Sequence, residues 1–358
     1  MNPEPKPQYR RIQRECNPES RTGFLRLDKN ECLDPELCSF FADEFQRAIT
    51  VDTLCVYPEL SKLRSLVSAV CGVPQKQVFL SHGSDESIRR VFDVYARPGS
   101  TIVTLNPTYA MFSVYAAMNN CNVHPINCDE RLNYSLEDVL ETLDNQVSIL
   151  AVANPNSPTG SEFSTNELMR CLEKCRELGI LMLVDEAYFY FTPTTMMPAI
   201  MENENLVVTR TFSKAFGLAG CRAGFMAVSA EISPEIHKAR PMYEMNSLSA
   251  LAALTVLEHE DRVKEYAEEV RKGRSVIEKC GAGLGIDYLG QSGNFITLRL
   301  PPELKAELFR QFALENKVLI KAWDSTGVFA NTVRITLGPP DVMERFAELL
   351  AGFFKERR

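Results

Sequence analysis

Between about residues 75 and 230 the chain alternates short apolar runs with amphipathic stretches, and this alternation restricts the fold more than any other feature. QVFL (77–80) precedes a helical pattern that starts at Ser84, and TIVTL (101–105) precedes another near Tyr109. VSILAVA (147–153), ILMLV (180–184) and LVVTR (206–210) are further strand candidates rich in β-branched residues, with a helical pattern over 164–178. Strands interleaved with helices predict a mostly parallel sheet covered on both faces. Ligands of such sheets bind beyond the carboxyl ends of the strands, so the residues that follow each strand carry the functional argument.

Beyond residue 232 the pattern changes. A helical stretch runs over about 250–279, followed by NFITLRL (294–300), a helix over 302–316, VLIKAW (318–323), TVRITLG (332–338) and a final helix from Asp341. This predicts a smaller α/β unit onto which the N-terminal arm packs. The expected division is a large domain over 46–235, with 1–45 and 236–358 forming the arm and the small domain; 358 residues suffice for both.

Composition excludes several function classes. A net charge of −8 argues against general nucleic-acid or anionic-membrane partners. The eleven cysteines include no C-x-x-C pair, and the four histidines have no metal-ligand spacing. No metal site is therefore expected, and reduced thiols in a cytoplasm are the simpler reading. The first thirty residues lack an apolar signal core, and the most apolar stretch, 248–257, is too short to span a bilayer.

Five strand ends carry unusual residues. In SHGSDES (81–87), a glycine before Ser84 and Asp85 at a helix start presents backbone N–H groups to an anion; taken alone, Ser84 reads equally as a helix cap. NPTY (106–109) puts Tyr109 at a strand-to-helix turn, and NPNSPTG (154–160) makes a stiff loop carrying Asn156 and Ser157. ILMLVDEAYFYF (180–191) delivers Asp185 to the end of a buried strand, with Tyr188 one turn on; an acid there is costly without a cation. TRTFSKAFGLAGCRAGF (209–225) sets Thr211, Ser213, Lys214 and Arg222 at one strand end, a set suited to a phosphate beside a reactive amine. No G-x-G-x-x-G follows an early strand, which disfavours a nicotinamide dehydrogenase.

These motifs, in this order, resemble the fold-type I pyridoxal phosphate (PLP)-dependent aminotransferases, and most closely their histidinol-phosphate aminotransferase branch. The resemblance runs from LDKNE (27–31) to the final helix and is sharpest in S-K-A-F-G-L-A-G-x-R. It implies an α/β, aspartate aminotransferase-like fold and a cofactor held by Lys214 as a Schiff base. Asp185 would pair with the pyridine nitrogen, Tyr188 and either Asn156 or Ser157 would meet the phenolic oxygen, and Tyr109 would stack on the ring. Ser84, Asp85 through its backbone, Thr211, Ser213 and Arg222 would hold the phosphate, which Tyr57 of the other subunit of a homodimer would reach. Arg334 would bind the substrate's carboxylate. The implied reaction moves an amino group between a small anionic substrate and a 2-oxo acid such as 2-oxoglutarate. A decarboxylase of a phosphorylated amino acid, like the threonine-phosphate decarboxylases, is the alternative. A form that has lost catalysis is disfavoured because Lys214, Asp185 and Arg222 are all present. Two departures bear on the substrate. Lys321 stands where histidinol-phosphate aminotransferases usually carry an arginine, a point charge in place of a bidentate fork. The arm also lacks the usual Pro-Tyr, which leaves Arg21 and Arg26 as candidates for a substrate phosphate.

Overall fold

The computed structural model describes residues 3–12, 20–324 and 327–357. Its strands in chain order are β1 (Leu25–Arg26), β2 (Val78–Ser81), β3 (Thr101–Asn106), β4 (Asn122–Asn127), β5 (Val147–Ala153), β6 (Leu181–Asp185), β7 (Leu206–Thr211), β8 (Gly224–Val228), β9 (Asp287–Leu289), β10 (Phe295–Arg299), β11 (Val318–Leu319), β12 (Lys321–Trp323) and β13 (Thr332–Thr336).

Seven of them form the main sheet, in the order β2-β8-β7-β6-β5-β3-β4. Only β8 runs against the rest, pairing antiparallel with both β2 and β7. All seven residues of β5 and all five of β6 are buried. Alternation then sends Leu181 and Leu183 into the core on one face, and Met182 and Val184 into the core on the other. Burying a side chain of this size is worth roughly 1.5–3 kcal/mol, so the two faces hold the sheet from both sides. The helix Thr165–Leu178 that links β5 to β6 begins with a Ser164–Glu167 capping box and ends on Gly179 at a φ of +67°.

The second unit contains an antiparallel sheet, β12-β13-β10-β9. The arm joins it: β1 pairs in parallel with β11, and Leu27 continues the contact by donating to Leu319 and accepting from Thr336. The helical stretch expected over 250–279 is two helices, Ser247–Leu257 and Glu260–Leu284, broken at Glu258 and His259. Among the described residues no helix is long and apolar enough to cross a membrane.

Candidate active site

The carboxyl ends of the central parallel strands lie level. Ala153 of β5 is in register with Asp185 of β6, and Asp185 with Thr209 of β7. Beyond them opens a cavity of about 150 Å³, lined among others by Ser84, Asp85, Tyr109, Ser157, Asp185, Tyr188, Thr211, Ser213, Lys214 and Arg222.

Asp185 is 5% exposed. Its recorded hydrogen bond comes from Thr209 Oγ1 at 2.7 Å, and among the described residues it has no ion-pair partner. Burial pushes its carboxyl up to about 7, with the Thr209 hydroxyl and Lys214 opposing and Asp85 and Glu186 adding to the shift. The next residue, Glu186, is equally buried yet sits in a fork from Arg210, with Nε at 3.0 Å and Nη2 at 2.9 Å. The strand end thus presents one neutralised acid and one acid that lacks a cation.

Three further segments converge on the cavity. The helix Ser84–Tyr95 starts here, with Gly83 at its cap, so its first backbone N–H groups face the cavity edge. Thr211 Oγ1 donates to Ser213 Oγ at 3.0 Å, and Arg222 Nη1 donates to the same oxygen at 3.2 Å. Arg222 has a φ of +51° and, among the described residues, no carboxylate partner. The packing depends on glycine: a Cβ on Gly224 would fall 2.5 Å from the Gly83 carbonyl carbon, and one on Gly83 would fall 2.7 Å from Arg222 Nη2. An arginine, two hydroxyls and a helix start suit a phosphate. Asp85 does not face this edge with its carboxylate, which instead accepts from the Tyr109 and Tyr115 hydroxyls, each at 2.9 Å, and thereby orients the Tyr109 ring.

Lys214 Nζ donates to the Lys29 carbonyl at 2.9 Å and lies 5.7 Å from the centre of the Tyr188 ring. Burial pushes the Tyr188 phenol up, but Lys214, Arg334 and hydrogen bonds from Ser157 and Asn30 outweigh it, so the net shift is downward. Arg334 sits behind Ser157, with Nη1 at 3.4 Å from Ser157 Oγ and Nη2 donating to Asp28 O at 3.0 Å. Its Nε is buried with no hydrogen-bond partner among the described residues, and burial pulls its guanidinium below the ordinary arginine range. A buried guanidinium without a facing acid is suited to an anion.

Several sequence candidates lie elsewhere. Asn156 is committed to its own turn: its Nδ2 donates to Pro107 O, Tyr134 Oη and Thr159 Oγ1, and its Oδ1 accepts from Thr108. Of the pair left open by the sequence, Ser157 is the one at the cavity. Lys321 is in register with Arg334 but does not line the cavity. Arg21 is forked onto Glu31 (2.9 Å from each nitrogen) and contacts Asp28, while Arg26 lies 3.8 Å from Glu31. Both arginines already face acids, whereas Arg222 at the cavity and Arg334 behind Ser157 have no carboxylate ion-pair partner among the described residues. Tyr57 is 73% exposed and stacks on Tyr243 with ring centres 4.4 Å apart, outside this chain's cavity. The sequence reading gave no individual role to Asn30, which donates to the Tyr188 hydroxyl at 2.8 Å, and it missed Thr209 and Arg210.

Known proteins resemble the chain along its length. A histidinol-phosphate aminotransferase of Caldanaerobacter subterraneus subsp. tengcongensis is 32% identical over 292 residues, covering 80% of this chain and 81% of that one. A histidinol-phosphate aminotransferase of Sinorhizobium meliloti, solved in complex with pyridoxal-5'-phosphate, superposes with a TM-score of 0.86 at 20% identity, covering 99% of both chains. A Thermus thermophilus aspartate aminotransferase tetra mutant superposes at 0.78 with 16% identity, covering 97% of this chain and 99% of that one, so the fold is aspartate aminotransferase-like. The family model for aminotransferase class I and II matches residues 23–350, and the chain belongs to that family.

Proposed function

We propose that this PLP-dependent aminotransferase moves an amino group between a small anionic, phosphate-bearing amine such as histidinol phosphate and a 2-oxo acid such as 2-oxoglutarate. The observation that carries the assignment of residues is the pairing of two uncompensated charges on one cavity. Among the described residues Asp185 has no cation partner and Arg222 no carboxylate partner, and both line the same cavity. A ring with a basic nitrogen and a phosphate satisfies both. Ser84, Thr211, Ser213 and Arg222 would take the phosphate, Asp185 the ring nitrogen, Tyr109 the ring face, and Tyr188 with Ser157 the phenolic oxygen. Lys214 supplies the amine to which the cofactor attaches.

When bound, PLP supplies an electron-withdrawing ring that stabilises charge developing on the substrate's α-carbon. The chain's residues do the rest. Asp185, ionised next to a cation, holds the ring nitrogen's proton. The Lys214 amine, aimed into the cavity, takes the α-proton and returns it. Arg334 orients the substrate by its carboxylate or another anionic group.

The proposed domain division, 46–235 against 1–45 with 236–358, is supported by the two main sheets lying one on each side of it. Exposed Val51, Leu54, Val56, Tyr57, Met242 and Tyr243 support a homodimer in which Tyr57 reaches the neighbouring site. A cytoplasmic location is the companion proposal, supported by the unpaired state of the ten described cysteines.

Incubation with histidinol phosphate and 2-oxoglutarate tests the substrate reading. Glutamate formation is expected. Carbon dioxide release from phosphothreonine with no glutamate formed from any phosphorylated amine would contradict it.

A further inference from the structure

At residues 28–30 the N-terminal arm touches three groups of the site. Asp28 O accepts from Arg334, Lys29 O accepts from Lys214, and Asn30 Nδ2 donates to Tyr188 Oη at 2.8 Å. Asn30 is 2% exposed and held at a φ of +58°, a left-handed conformation that asparagine tolerates better than most residues. Its backbone is pinned on both sides: N–H donates to Thr336 Oγ1 at 2.9 Å, and the carbonyl accepts from Asn294 Nδ2 at 3.2 Å. The Thr336 hydroxyl lies 3.5 Å from Asn30 Oδ1, which fixes the amide's orientation and leaves Nδ2 for the phenol. Thr336 and Arg334 share β13, so one connection joins the strand bearing Arg334 to Tyr188.

A phenol oxygen carries one proton and two lone pairs. Asn30 Nδ2 occupies one lone pair. The phenol's own proton is thereby turned away from Asn30, on an oxygen whose residue lines the cavity. We propose that Asn30 is a positioning residue, which by donating to Tyr188 Oη fixes the direction in which this phenol presents its proton to the reacting end of the site. The charged groups facing the phenol are Lys214 and Arg334, and both act with Asn30 to hold it below an ordinary tyrosine against the opposing effect of burial. The catalytic consequence rests on the PLP reading above; the proton's placement does not.

The test is the ionisation of Tyr188 in the full-length protein freed of cofactor, read as the ultraviolet difference between each protein and its Tyr188→Phe counterpart. Asn30→Gly keeps the left-handed backbone and removes the donor. Asn30→Asp keeps shape and backbone but replaces the donor with an acceptor. The phenol's midpoint is expected to rise by about one unit in Asn30→Gly and by more in Asn30→Asp, the worth of a hydrogen bond to a charged group. In the loaded variants the pH at which the cofactor's visible band changes is expected to shift, with kcat falling and KM for the oxo acid held. An unchanged midpoint in both variants overturns the proposal even if activity falls, because a distorted arm lowers activity without moving the phenol. If neither variant folds, the Asn30 side-chain amide resonance of the wild-type protein decides: it is expected to shift with the Tyr188 titration, and an amide that does not respond overturns the proposal. Since the midpoint is read without cofactor, a protein that never takes up PLP would overturn the functional reading and leave this one standing.

Discussion

Asp185 and Glu186 are adjacent and both buried, yet they are opposite in kind. Arg210 neutralises Glu186, while burial raises the Asp185 carboxyl to about 7. The folded-state value lies above the ordinary 3.8, so the stability this group contributes is full below pH 3.8 and is lost as pH rises through about 7. Above pH 7 the cofactor-free protein then carries a cost on the order of 4 kcal/mol at this position, which a bound cation relieves. Asp185→Asn, which keeps the acceptor for Thr209, is expected to raise the melting temperature of the cofactor-free protein at pH 8, with the gain shrinking toward pH 4. It is also expected to lose most activity. Equal melting temperatures at pH 8 would contradict the account of Asp185. The strand-end residues were legible because most follow an apolar run by one to five positions, where an α/β sheet collects its ligands. Asn30 was not, because its meaning comes from Tyr188 and Thr336, 158 and 306 residues away in sequence. Nor could sequence separate Asn156 from Ser157, since only the folded turn shows that the Asn156 amide is already occupied.

At the scale of elements, the buried strands were legible and the edge strand was not. β5 and β6 are unbroken apolar runs, whereas β4 lies at the sheet edge, is mostly exposed, and contains His124 and Pro125, which an edge tolerates. β8 was hidden in the glycine-containing tail of the Lys214 motif. VLIKAW is not one strand: Val318–Leu319 pairs with the arm, and Lys321–Trp323 pairs with β13. β8 also sets the edge proposed for the phosphate, because Gly224 lies against the backbone at Gly83 and Ser84. In Gly224→Ala the new methyl meets backbone that cannot yield, so the helix start must shift from Arg222. A loss of roughly ten- to a hundredfold in PLP affinity is expected, equivalent to one charge-assisted hydrogen bond, together with about 1–3 kcal/mol of stability. Titration of the cofactor-free variant with PLP measures it; wild-type affinity would contradict the convergence of these segments.

For the whole molecule, the apolar rim around Tyr57 and Tyr243 gives the homodimer its test. In a heterodimer of Lys214→Ala and Tyr57→Ala chains, one site receives both intact residues and the other neither. Co-expression is therefore expected to give about half the activity of wild type per heterodimer, well above either mutant homodimer. No recovery would contradict a shared site.

The assignment of the active site depends on Lys214 being the residue that takes the cofactor. The direct measurement is borohydride reduction of the PLP-loaded protein, followed by digestion and mass mapping. The expected result is a single phosphopyridoxyl lysine in the peptide that contains Ser213 and Lys214. Modification at another lysine, or at none, would contradict the assignment of the site.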